Sequence, residues 1–217
     1  SSSLQQFFER NRFKLWEQGY HYPFSGAFRE YGLRRERTPG HAQLISNLEK
    51  YPDDVKYHLI NELDQINSFQ DYKIDKLIIS SENIISTRFW ENGKILNVIK
   101  DVFYEIDDIN LCVVFRHPTD WIISQYLENI GNPLNIYYDS FYRFKEVLKD
   151  KKLFVWNNII EKLKSLDWGS VEIGKYESIL QNGGIENWFS KIYKLNISSF
   201  KEHKSNLRND SATQIKA

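Results

Sequence analysis

Residues 111–124 read LCVVFRHPTDWIIS, and this stretch decides the fold class. Its first five residues are an unbroken apolar run with two valines near its centre. That is the length and type of a strand buried on both faces. Arg116 ends the run, and Pro118 follows two residues later. Proline is pre-set for the first turn of a helix, so a helix is predicted over 118–129. A buried strand that passes at once into a helix is half of a strand–helix–strand unit, the building block of parallel sheets.

The flanking sequence repeats the alternation. A helix is predicted over 2–18, with Ser1 or Ser2 as cap, apolar Leu4, Phe7, Phe8 and Leu15 on one broad face, and Gly19 as stop. Residues 20–40 read as irregular and basic, carrying Arg29, Arg34, Arg35 and Arg37. Helices are expected over 41–49, 55–65, 95–103, 141–148, 157–166 and 185–193. Short buried strands are expected over 76–80 (KLIIS) and 171–175, and a loop over 131–138. The expectation is one α/β domain over 1–217, a three-layer sandwich with a central parallel sheet.

Composition narrows the function classes. The 217 residues carry 29 basic and 29 acidic side chains. This balance argues against a general nucleic-acid binder, which shows a basic excess or stripe. Any anion site is therefore local. The aromatic fraction of 15% gives a core of adequate size. Cys112 is the single cysteine and reads as a buried strand thiol. No intramolecular disulfide can form, which fits a reducing, cytoplasmic setting. No apolar run has the length of a membrane span, and no signal-peptide pattern opens the sequence. The five histidines, His21, His41, His58, His117 and His203, lack metal-ligand spacing, so no metal is expected.

In parallel sheets, ligands sit beyond the carboxyl ends of the strands. That rule singles out residues 80–82, 116–124 and 175–177. Ser124 lies seven residues past His117, nearly two helical turns, so it points the same way as the helix entry. Arg116 and Ser124 can then meet over one bound anion, with the guanidinium as a planar, permanently charged fork. The alternative pairs Arg116 with Asp120 and leaves Ser124 in solvent. Ser1, Ser2 and Ser3 offer hydroxyls and free backbone N–H groups at a helix start, which bind anions but are equally a good cap. Glu82 ends a strand, where a carboxylate raised by burial can take a proton. His41 competes with it, because its ordinary pKa suits base chemistry.

These elements together resemble the bacterial branch of the PAPS-dependent sulfotransferases, PAPS being 3′-phosphoadenosine-5′-phosphosulfate. Ser1-Ser2-Ser3-Leu4-Gln5 matches the second half of that family's K-T-G-[ST]-[ST]-S-L-Q loop. The stretch from Arg10-Asn11 through Leu15, Gly19 and Tyr20 to Tyr22-Pro23 matches its R-N-x-x-x-L-x-x-x-G-[YI]-x-Y-P helix ending. Gly40-His41 resembles its G-H element, Ser80-Ser81-Glu82 its S-S-E, and Tyr176-Glu177 its late Y-E. Arg116 and Ser124 have its spacing for the donor 3′-phosphate, and Asn209-Asp210-Ser211 faintly resembles its C-terminal N-x-S.

The resemblance implies a P-loop nucleotide-binding-like fold whose first strand and loop lysine precede Ser1. It implies PAPS as co-substrate without a metal, and a hydroxyl or amine acceptor, by analogy on a carbohydrate. Ser1, Ser2 and Ser3 would then face the 5′-phosphate, Glu82 would act as base, and His41 would orient the acceptor.

Two other classes remain open on sequence. A P-loop nucleotide kinase wants G-x-x-x-x-G-K-[ST] and a strand ending in aspartate for Mg²⁺, whereas this strongest strand ends in Arg116. A non-catalytic interaction domain would use the aromatic run Tyr137, Tyr138, Phe141, Tyr142 and Phe144 as a partner surface.

Overall fold

The computed structural model describes residues 2–26, 28–31, 34–37, 40–48, 50–69, 73–81, 94–103, 108–130, 140–150, 156–165, 169–198 and 200. In chain order its elements are α1 (Ser2–Arg10), α2 (Arg12–Trp16), β1 (Tyr20–His21), β2 (Phe28–Tyr31), β3 (Arg34–Arg37), α3 (Ala42–Leu48), α4 (Pro52–Phe69) and β4 (Lys76–Leu77). There follow α5 (Lys94–Val102), β5 (Asn110–Phe115), α6 (Pro118–Ile130), α7 (Phe141–Asp150), α8 (Trp156–Ser165), β6 (Ser170–Lys175), α9 (Tyr176–Gln181) and α10 (Gly184–Tyr193).

The class is mixed helix and strand, and the pairing of the predicted buried strands is parallel. β1 pairs with β4 and β5 with β6, each in parallel, while β2 and β3 form an antiparallel hairpin. Among the described residues these are three separate two-stranded sheets. The chain divides into two compact units, Ser1–Ile84 with Tyr193–Ala217, and Ile85–Ile192.

In the first unit, the helix expected over 2–18 is interrupted at Asn11. Its side-chain amide donates to the Phe7 carbonyl at 2.9 Å, and its own N–H turns to Phe8 O at 3.2 Å. A short polar side chain that competes for backbone groups bends a helix in this way. Gly19 stops the second piece with φ +80°, a conformation glycine adopts at no steric cost. The chain then enters β1, whose register places Tyr20 against Lys76 and His21 against Leu77. Strand pairing ends sooner than the KLIIS run implies, although Ile78 N–H still donates to His21 O at 2.8 Å.

Arg12 is buried and clamps the segment after β1. Its Nε donates to Tyr22 O at 2.9 Å and its Nη2 to Pro23 O at 3.0 Å. The guanidinium lies 4.1 Å from the Phe24 ring centroid and 5.3 Å from that of Tyr22. Phe8, Leu15, Tyr22, Ile45, Leu48 and Leu59 are fully buried around it and form the core of this unit.

The region expected to be irregular contains the hairpin. Its register sets Arg29 opposite Glu36 and Glu30 opposite Arg35. α4 is longer than predicted, because Pro52 and the acidic Asp53 and Asp54 make a favourable first turn.

In the second unit, β5 and β6 run level from Asn110↔Ser170 to Phe115↔Lys175. α6 packs on α7 through Ile122 and Phe144, with Trp121 and Tyr126 against them. The aromatic run therefore divides: Phe144 is core, Tyr142 is exposed, and Tyr137 and Tyr138 lie outside the described residues. The loop expected over 131–138 lies outside them too.

Gly174 in β6 permits the close approach of two helices. A Cβ there would stand 2.5 Å from Ile179 Cδ1 and 2.8 Å from the Trp188 ring. Gly174→Val is expected to destabilise the protein by about 2–3 kcal/mol through overpacking, and Gly174→Ala by less. Urea unfolding midpoints at constant slope check both values.

Candidate functional site

The second unit carries the strongest constellation. Arg116 follows β5 directly, and Lys175 at the end of β6 lies level with Phe115. Both strands pass at once into helices, α6 at Pro118 and α9 at Tyr176. The side chains beyond these strand ends are therefore neighbours by register.

Arg116 Nη1 donates to Ser124 Oγ at 3.0 Å. The serine two turns along α6 thus points back to the strand end, as its spacing predicts, and the solvent-facing alternative does not hold. The Arg116 guanidinium carbon sits 4.4 Å from the Tyr176 ring centroid. Glu177 completes the arrangement by accepting the His117 N–H on Oε1 at 2.9 Å. Desolvation alone would raise the Glu177 carboxyl, but the backbone N–H groups of His117 and of Glu177 itself, with the charges of His117 and Arg116, together outweigh it and hold it below the usual carboxylate range. The sequence marks Tyr176 and Glu177 by the strand-end position of 175–177 and by the Y-E resemblance, but assigns no role to either.

The first unit holds the other predicted residues. Ser2 and Ser3 open α1. Their side chains, with Ser1 and Glu82, lie outside the described residues. Ser80 and Ser81 lead out of the β4 segment, and His41 fixes them from the side. Ser80 N–H donates to His41 Nδ1 at 3.0 Å, so Nδ1 carries the lone pair and the ring proton sits on Nε2. That proton goes to Pro23 O at 3.0 Å. The ring is wholly buried and packs edge-on against Tyr22, centroids 4.4 Å apart. Gly40 beside it lacks a side chain because the Gln5 amide lies where a Cβ would be, within 2.6–2.7 Å.

This geometry gives His41 a different task from the base considered on sequence. Both nitrogens are occupied by backbone groups. Burial lowers its pKa to about 4, with the Arg12 charge acting in the same direction. His41 joins two chain segments instead, one after β1 and one after β4.

A second buried histidine works alike. Trp16 Nε1–H donates to His21 Nδ1 at 2.9 Å, which leaves the proton on Nε2, 2.7 Å from Glu62 Oε1. Glu62 also accepts the N–H groups of Phe24 at 2.6 Å and Ser25 at 3.0 Å, and the Ser25 hydroxyl. Burial would raise this carboxyl, but the hydrogen bonds from His21, Ser25 and Phe24 bring it down to about 2.

Cys112 is partly buried, and burial with Glu172 nearby pushes its thiol up to about 12, which leaves it unreactive as a nucleophile. Among the described residues no helix is long and apolar enough to cross a membrane, and no cluster of three or more His, Cys, Asp or Glu side chains is placed to hold a metal ion. Comparison of the chain with family models, curated proteins and solved structures finds no match.

His41 carries a pH dependence of stability. Its folded pKa of about 4 lies below its ordinary 6.5. Between these values the unfolded chain binds the extra proton, so stability is full above about pH 6.5 and falls as the pH drops towards 4. The loss is on the order of 2–3 kcal/mol. His41→Gln is expected to be less stable at pH 7 and to show a flatter profile through that window. Urea unfolding at half-unit pH steps measures it, and parallel wild-type and variant profiles would refute the assignment.

Proposed function

We propose that the chain is a sulfotransferase that moves the sulfuryl group of PAPS to a hydroxyl or amine acceptor, by analogy on a carbohydrate. One observation carries the reading: Arg116, at the carboxyl end of a strand in a parallel pair, meets Ser124 two turns into the following helix at 3.0 Å. A permanent cation and a hydroxyl converge there at the position where parallel sheets bind ligands. The ordered series of sequence elements from Ser1 to Glu177 supports it independently.

In this reading Arg116 and Ser124 hold the donor 3′-phosphate, and the resemblance assigns its 5′-phosphate to Ser1, Ser2 and Ser3. The acceptor oxygen or nitrogen attacks sulfur in line with the bond to the bridging oxygen. The new bond to sulfur forms as the bond to the bridging oxygen breaks, and the electron pair leaves with adenosine 3′,5′-bisphosphate. Glu82 takes the acceptor proton. His41 contributes by position, because its bond to Ser80 N–H fixes the segment two residues before Glu82. The work of such a site is alignment and charge stabilisation, with no metal required. A cytoplasmic location accords with a donor made and used inside the cell.

Adenosine 3′,5′-bisphosphate is expected to raise the melting temperature more than ATP does. Arg116→Ala removes a charge-assisted hydrogen bond of about 1.5–3 kcal/mol and is expected to weaken bisphosphate binding roughly ten- to a hundredfold. Calorimetric titration of the folded variant checks this, and unchanged affinity would refute the phosphate role. Glu82→Gln is expected to lower turnover a hundredfold or more with donor affinity intact. Retained turnover in that variant would place the base elsewhere.

A further inference from the structure

An arginine side chain is flexible, and holding it in one geometry costs about 2 kcal/mol of rotamer entropy. A phosphate site built on Arg116 therefore gains from whatever restrains that side chain before the ligand arrives. The first turn of α9 supplies two restraints. The Tyr176 ring lies 4.4 Å from the guanidinium carbon, a cation–π contact that restrains the charged end of the side chain. Glu177 accepts the N–H of His117, the residue after Arg116, at 2.9 Å. The backbone that carries the arginine is thereby tied to the neighbouring helix. The level register of Phe115 and Lys175 makes both contacts possible, since it brings residues 116–117 and 176–177 out of the sheet side by side.

We infer that Tyr176 and Glu177 are positioning residues that pre-set Arg116 for the 3′-phosphate of the donor; this rests on the donor reading above. Neither acts on the reacting atoms. Glu177 has two opposed effects that substitution separates. Its oxygen restrains the strand end, while its negative charge works against a bound phosphate. Glutamine keeps the acceptor and removes the charge, whereas alanine removes both.

The test is calorimetric titration of the full chain with adenosine 3′,5′-bisphosphate and with adenosine 5′-monophosphate, which lacks the 3′-phosphate. Tyr176→Ala and Glu177→Ala are expected to weaken bisphosphate binding about five- to tenfold and to leave monophosphate binding unchanged. Tyr176→Phe is expected to keep wild-type affinity, and Glu177→Gln to keep or exceed it. Tyr176→Leu, which retains apolar volume without the π face, answers the same question if Tyr176→Ala does not fold. Equal losses for both nucleotides would assign the pair a general structural role and overturn the inference. A wild type that prefers the bisphosphate, with folded alanine variants unchanged, overturns the inference alone. A wild type that binds both nucleotides alike overturns the donor reading and this inference with it.

Discussion

Two buried donors converge on the carbonyl oxygen of Pro23: Arg12 Nη2 at 3.0 Å and His41 Nε2 at 3.0 Å. A carbonyl has two lone pairs, and here each is taken by a side chain from a different part of the first unit. Arg12 reaches it from α2 and also holds Tyr22 O. His41 reaches it from the entry to α3 and, through its other nitrogen, holds Ser80. The chain leaving β1 and the chain leaving β4 are fixed to one another through this point. A guanidinium tolerates such burial better than an ammonium, because it is less strongly hydrated and can stack on the rings of Tyr22 and Phe24. Loss of Arg12 removes one of the two donors to Pro23 O and its donor to Tyr22 O, and loss of His41 removes the other together with its acceptor for Ser80 N–H. A buried polar group that loses its partner costs more than the net worth of the bond.

The two units secure their strand ends by different chemistry. In the first, buried histidines do it: His41 between Pro23 O and Ser80 N–H, and His21 between the Trp16 ring N–H and Glu62. Burial keeps His41 uncharged. In the second unit an acid does it, as Glu177 grips the backbone after β5 while Tyr176 lies against Arg116. The first arrangement is buried and committed to holding. The second is open to solvent and leaves a cation, a hydroxyl and a carboxylate around one strand end.

What the sequence disclosed follows from how local each signal is. The strand–helix passage at 111–124 rests on an apolar run and a proline, both within one short window, and its boundaries hold to a residue. The Arg116–Ser124 contact was legible because helical periodicity alone fixes it. The hairpin was missed because its strands are charged, so no hydrophobic alternation announces them. The two-residue Gly32-Leu33 spacer between them was the available sign. The role of His41 was hidden because burial is a tertiary property. Nothing near it in sequence tells that Pro23 and Ser80 will occupy both its nitrogens. The contact of Tyr176 with Arg116 was hidden likewise, since the two lie 60 residues apart and meet only through the β5–β6 register.

Gln18 faces Asn196 as a strand would, its amide donating to the backbone oxygen at 3.0 Å and accepting the backbone N–H at 2.7 Å. Tyr20 donates its hydroxyl to Tyr193 O at 3.1 Å, and Phe7 stacks on Phe200 with centroids 5.4 Å apart. The first unit is thus closed by residues far along the chain, with the whole second unit interposed. Residues travel off the ribosome in order, so α1, α2 and β1 emerge long before their closing partners exist. The inserted unit, whose strands pair with each other, can fold during that interval. The contacts that Tyr193, Asn196 and Phe200 make with the first unit can therefore form only after the inserted unit has been synthesised.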